Sequence, residues 1–275
     1  MKLSEFIKFS DEEVVAFDFK NESPSDAVRK EQHPVKKFIL YRKEYQENNA
    51  FDCDRCDLIL EIHNKVYSNK NLGYLDTDTM NSFYTSYRLL LLSFDKFFWE
   101  NDIITFSRNR GIEFNAASEN KKRLERYDWL LSDKVFSHYA DINNLPEVMR
   151  FATLTHSLGN MTLIPKGYNV GRATSTKDYW DLTLLSLRDF LGSFFDNFVI
   201  DYYMQDFTAG TLEFWEGHSF EYPLPNSFDK RDRLKLSKDE KDKIAHNRIL
   251  EFMQKVNGRI EKRSKRLYIA LKGKE

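Results

Sequence analysis

The chain has 275 residues, 41% hydrophobic and 15% aromatic, and its 42 Lys and Arg nearly balance 43 Asp and Glu, for a formal net charge of −1. That composition suits a large core, argues against disorder, and gives the molecule as a whole no electrostatic pull toward nucleic acid or membrane. No apolar run approaches the roughly 20 residues of a membrane span, and acids interrupt MKLSEFIKFSDEEVVAF where a secretory signal would be apolar, so a cytoplasmic protein with no membrane partner is expected.

In chain order, the first chemical signal is Cys53 and Cys56 in FDCDRCDL, followed by LILEIHNKVY. A single C-x-x-C supplies two ligands where structural zinc takes about four. The pattern around it predicts a helix running through both cysteines, which puts His63 two turns beyond Cys56 and about 10 Å away. Two ordinary helix cysteines are expected. The stretch SNKNLGYLDTD reads as a loop, and TDTMNSFYTSYRLLLLSFDKFFW as a helix from Thr77 to Trp99, capped by Thr77 or Asp78, with Met80, Phe83, Tyr84, Tyr87, Leu91 and Phe94 on its apolar face.

A further helix is predicted after Ser118, with Leu124, Tyr127, Leu130 and Leu131 on one side, and Pro146 opens another that runs toward His156. Beyond the loop site at 155–177, DYWDLTLLSLRDFLGSFFDNFVIDYYM predicts one long central helix carrying Leu187, Phe190, Leu191, Phe194, Phe195, Phe198, Val199 and Tyr202. Residues 209–229 read as an ordered loop. Ser237 to Glu240 form a capping box that opens a basic C-terminal helix over 237–271, with Ile249, Phe252, Met253, Val256 and Ile260 buried. The expected fold class is mainly α: one helical domain over 1–275, with a small irregular or short-strand insertion around 156–175.

Chemistry concentrates in THSLGNMTLIPKGYNVGRATSTKDYW. Its Gly159-Asn160, Met161-Thr162-Leu163, a second Asn nine residues on at Asn169, then Lys177 and Tyr179, resemble the histidine–metal (HNH-like) finger domain of GmrSD-type modification-dependent restriction endonucleases over about 25 residues. With Arg172 and DYWDLTL, the segment is also similar to one in a group of largely helical proteins of Gram-positive bacteria, a likeness that carries no activity with it. The first resemblance implies a bacterial metal-dependent endonuclease using Mg or Mn. A histidine would deprotonate water while ligands hold the ion against phosphate.

The family's base lies in an upstream H-x-x-P element that this chain lacks; after His138 the next proline is eight residues on, at Pro146. His156 then becomes the base or metal ligand. Asn160 and Asn169 orient it or coordinate the metal, and Lys166, Arg172 and Lys177 meet substrate phosphate. The alternative is a non-enzymatic helical binding or regulatory protein whose HSLGN loop is structural: Gly159-Asn160 as a left-handed turn, the asparagines capping backbone, and His156 favoured by a helix C-terminus. A second nucleic-acid candidate is the C-terminal run from Lys255, with eight Lys and Arg against two Glu. A helix end rich in cations also answers the helix dipole.

Overall fold

A short antiparallel ribbon joins two distant parts of the chain. Strand β1 (Leu75–Thr79) pairs with β2 (Met161–Pro165) in the register Leu75 opposite Pro165 through Thr79 opposite Met161. The computed structural model describes residues 1–48, 51–70, 75–94, 116–166, 168, 180–208 and 239–274. Around the ribbon the described chain is mainly helical, as the sequence predicts, and the insertion after His156 does contain a short strand.

The helices are α1 (Leu3–Phe6), α2 (Asp11–Ala16), α3 (Asp26–Lys30), α4 (Pro34–Asn48), α5 (Asp57–Val66), α6 (Phe83–Phe94) and α7 (Ala116–Leu131). They continue with α8 (Asp133–His138), α9 (Ala140–Asn143), α10 (Pro146–Leu154), α11 (Trp180–Leu191), α12 (Phe195–Asp201), α13 (Gln205–Thr208) and α14 (Asp239–Lys272). Among the described residues no helix is long and apolar enough to cross a membrane.

Two hydrophobic clusters form. One gathers Phe38, Phe83, Tyr87, Phe151, Ile164, Phe252, Met253 and Ile260. The other gathers Phe6, Phe17, Phe19, Ile59, Leu158, Met161, Leu163 and Tyr268. Side chains alternate along a strand, and β2 uses that period to serve both: Met161 and Leu163 enter the second cluster, Ile164 the first. The C-terminal helix spans them as well, with Ile249 to Ile260 in the first and Leu267 to Leu271 in the second. Arg263 and Ser264, both fully buried, lie between these two stretches of α14.

Several expectations are corrected. The predicted loop before α6 contains β1, so Thr77 and Asp78 are strand residues and the helix starts at Phe83. Its entry is met from outside, where the Thr155 hydroxyl accepts from Phe83 N at 3.3 Å and donates to Asn81 O at 3.2 Å. The cysteines do not sit inside a helix: Cys53 opens a 3₁₀ turn capped by Asp52, and Cys56 is the residue from which α5 departs. Both are buried free thiols; burial pushes Cys53 well up and Cys56 to about 11, so neither is a ready thiolate.

The long central helix is interrupted. Gly192 takes φ of +54°, a left-handed conformation that ends α11 and starts a 3₁₀ turn over Gly192–Phe194 before α12. The break leaves Phe190 and Phe194 52% and 71% exposed while Leu187, Phe198 and Val199 stay buried. The stripe on α14 is buried as predicted, at Ile249, Phe252, Met253, Val256 and Ile260. Ser237 and Lys238 of the capping box, and the loop at 209–229, lie outside the described residues.

Candidate functional site

The site begins where α10 ends. Leu145 is extended, Pro146 supplies the first turn, and the last carbonyls of the helix face a buried cation: Lys20 Nζ donates to Ala152 O at 2.9 Å and pairs with Asp18 at the same distance. A cation at a helix C-terminus complements the dipole, and burial raises the Asp18 carboxyl against the pull of Lys20. From Thr155 the chain turns tightly. Ser157 N donates to Leu154 O, and the amides of Asn160 and Met161 both donate to Ser157 O, which delivers the chain into β2.

His156 is 6% exposed and sits in an aromatic cage from α4, stacked 5.9 Å from Phe38 and edge-on to Tyr41 at 4.7 Å. Its carbonyl accepts from Phe19 N at 2.8 Å, but its buried Nδ1 has no hydrogen-bond partner. Burial first, then the charges of Lys20 and Arg42, hold its pKa well below the ordinary value. The imidazole is therefore neutral at pH 7, with two cations for neighbours.

Asn160 is fully buried and faces a different set of groups. Its Oδ1 accepts from Asn81 N at 3.1 Å and Asn81 Nδ2 at 3.0 Å. Its Nδ2 donates to Asn81 O at 2.9 Å and Thr155 O at 2.8 Å. Both donors and both lone pairs of the carboxamide are thus used. The main chain adds a further link, as Met80 N donates to Asn160 O at 2.8 Å. The side chain has no lone pair left for a metal.

Gly159 is not the left-handed turn residue that its sequence context suggests, since its φ is not positive; its smallness serves a close approach. A Cβ there would lie 1.9 Å from Ile260 O and 2.5 Å from Ser264 Oγ. With no side chain in the way, Gly159 N donates to Ser264 Oγ at 2.8 Å, and Arg263 Nη1 donates to Gly159 O at 2.8 Å and Met161 O at 2.6 Å. The same guanidinium donates to Tyr203 O at 3.0 Å and Tyr202 O at 3.2 Å. Tyr203, at φ of 55°, is the non-glycine residue in the left-handed region among those described. Arg263 therefore binds two adjacent turns to α14.

No protein-family model, curated protein or solved structure matches the chain.

Of the predicted site residues, His156 and Asn160 share the loop but engage separate partners, and Lys166 is exposed just past β2. Asn169, Arg172, Lys177 and Tyr179 lie outside the described residues. No group of three or more His, Cys, Asp or Glu among the described residues is placed to hold a metal ion. Sequence reading missed Asn81, Thr155 and Arg263. Arg263 did leave a signal: it continues the spacing 249, 253, 256, 260 toward Leu267, so a cation stands on the apolar stripe of its helix. The basic run is also partly consumed within the fold, because Arg266 pairs with Asp206 at 2.8 Å and Arg259 donates to Asp206 O at 2.6 Å.

Proposed function

We propose that this chain is a non-enzymatic helical binding or regulatory protein in which the HSLGN loop is a structural junction. The observation that carries this reading is the Asn160 carboxamide, all four of whose hydrogen bonds go to Asn81 and Thr155. A catalytic asparagine needs a free lone pair or donor aimed at metal, water or substrate, and this one has spent both in joining α10 to the start of α6. His156 supports the same reading, because a neutral ring beside Lys20 and Arg42 is a poor place for a dication.

The second reading is a degenerate histidine–metal finger, a metal-dependent endonuclease acting on nucleic acid with Mg or Mn. Two observations favour it: the unpartnered Nδ1 of His156 and the exposed Lys166 downstream of it. Nucleic acid contact through the loop or the C-terminal helix belongs to this reading, and so does a cytoplasmic, bacterial setting. Calorimetric titration of Mg²⁺, Mn²⁺ and Zn²⁺ into chelator-stripped protein separates the two. The structural reading expects no saturable binding that depends on His156, and an Asn160→Ala variant that is simply less stable. Metal binding abolished by His156→Ala in a still-folded protein would replace it with the nuclease reading.

A further inference from the structure

Helix α14 buries one face and turns the opposite one outward. Glu251, Lys255, Gly258, Lys262, Lys265 and Ile269 follow one another in alternating steps of four and three residues, a single stripe roughly 27 Å long on the side away from both hydrophobic clusters. That is the seam spacing of helices packed side by side. Two residues of the stripe serve nothing among the described residues. Gly258 lies inside the helix, where only proline is less favourable, yet a Cβ there would meet nothing within 4 Å, in contrast to Gly159. Ile269 is 65% exposed.

The order of charges along the stripe decides what covers it. Glu251 precedes the glycine, Lys262 and Lys265 follow it, and among the described residues the ion pairs of α14 run instead from Glu261 to Arg150 and from Arg266 to Asp206. A second α14 laid antiparallel, glycine on glycine, sets Glu251 opposite Lys265 of the second copy and, by the two-fold, Lys265 opposite its Glu251. Lys255 then falls opposite Glu261 and Lys262 opposite Gln254, so no like charges of the stripe meet. Crossing at Lys255 or Lys262 would place that lysine on its own copy, and a parallel pair would do so at every position. The missing side chain at Gly258 lets the backbones close at the crossing, and a shallow angle of about 20° keeps the neighbouring turns in contact.

We infer that α14 pairs with α14 of a second copy of this chain, antiparallel and crossing at Gly258, held by two symmetric Glu251–Lys265 ion pairs. The inference goes beyond the structural role of the HSLGN loop and does not depend on it. The stripe is mostly polar, so the dimer is of the weak, reversible class. Sedimentation equilibrium of the full chain from about 10 μM to about 1 mM, in low and high salt, tests it. A dimer that loosens with salt is expected. Glu251→Lys and Lys265→Glu should each weaken it on the order of tenfold, and the chain carrying both exchanges should regain wild-type affinity. Gly258→Gln should abolish the dimer while the thermal midpoint of the monomer stays at or above that of the wild type, because the added side chain meets open space. A wild type that stays monomeric throughout, single exchanges without effect, no recovery in the double exchange, or a dimer that tolerates Gly258→Gln overturns the proposal.

Discussion

At the scale of the residue, the loop is explained by what each side chain leaves unpaired if it is removed. Asn160→Ala would strip partners from the buried amides of Asn81 and from Thr155 O. Each buried polar group left alone costs about 1–3 kcal/mol, so a loss of about 2–4 kcal/mol in urea unfolding is expected. Gly159→Ala should be at least as damaging for a different reason. Its methyl group would meet the Ile260 carbonyl, which is helix backbone and cannot swing aside. A Gly159→Ala protein of wild-type stability would show that α14 does not press on the loop as described. His156 and Asn160 were legible as members of one polar turn from sequence alone. Their roles were not, because the groups that engage them lie far away in sequence, at Phe38, Tyr41 and Asn81.

Among the elements, Gly192 gives a prediction whose sign is informative. In a continuous helix Gly→Ala stabilises by about 0.5–1 kcal/mol, whereas at φ of +54° an added Cβ is strained by about 1–2 kcal/mol despite open space around it. Gly192→Ala should therefore lower the unfolding midpoint. Apolar periodicity alone ran through Gly192 without interruption, since Leu187, Phe190 and Leu191 before it and Phe194, Phe195 and Phe198 after it keep one helical spacing. The ribbon was half legible for a related reason. Met161 to Ile164 is an apolar run next to turn formers, but LDTDT has one apolar residue and becomes a strand through pairing with β2. The α14 stripe was the most readable element, and Arg263 within it the least expected. Arg263→Lys keeps the charge, yet one ammonium cannot reach the carbonyls of Gly159, Met161, Tyr202 and Tyr203 together. A loss of about 2–4 kcal/mol is expected.

At the scale of the molecule, two hydrophobic clusters are joined by the polar seam of His156, Asn160 and Arg263, and that seam should be sensitive to acid. Burial, then the Arg263 charge, push His63 on α5 down to about 3, and His156 is depressed as well. Between about pH 6.5 and 3 the unfolded chain binds protons that the folded His63 refuses, so each such histidine removes stability as pH falls through that window, by up to about 1.4 kcal/mol per pH unit. The carboxyls of buried Asp18 and half-buried Asp54, both raised by desolvation, contribute with the opposite sign. The clean readout is thus a difference: His63→Leu should lose less stability between pH 7 and 5 than the wild type, and equal losses would contradict a neutral buried His63. The most direct test of the junction itself is a double-mutant cycle on Asn81 and Asn160, read by urea unfolding. A structural seam predicts single variants each destabilised and a coupling energy of about 1–3 kcal/mol. Additive effects, with Asn160→Ala close to wild type, would contradict it and return Asn160 to the candidates for chemistry.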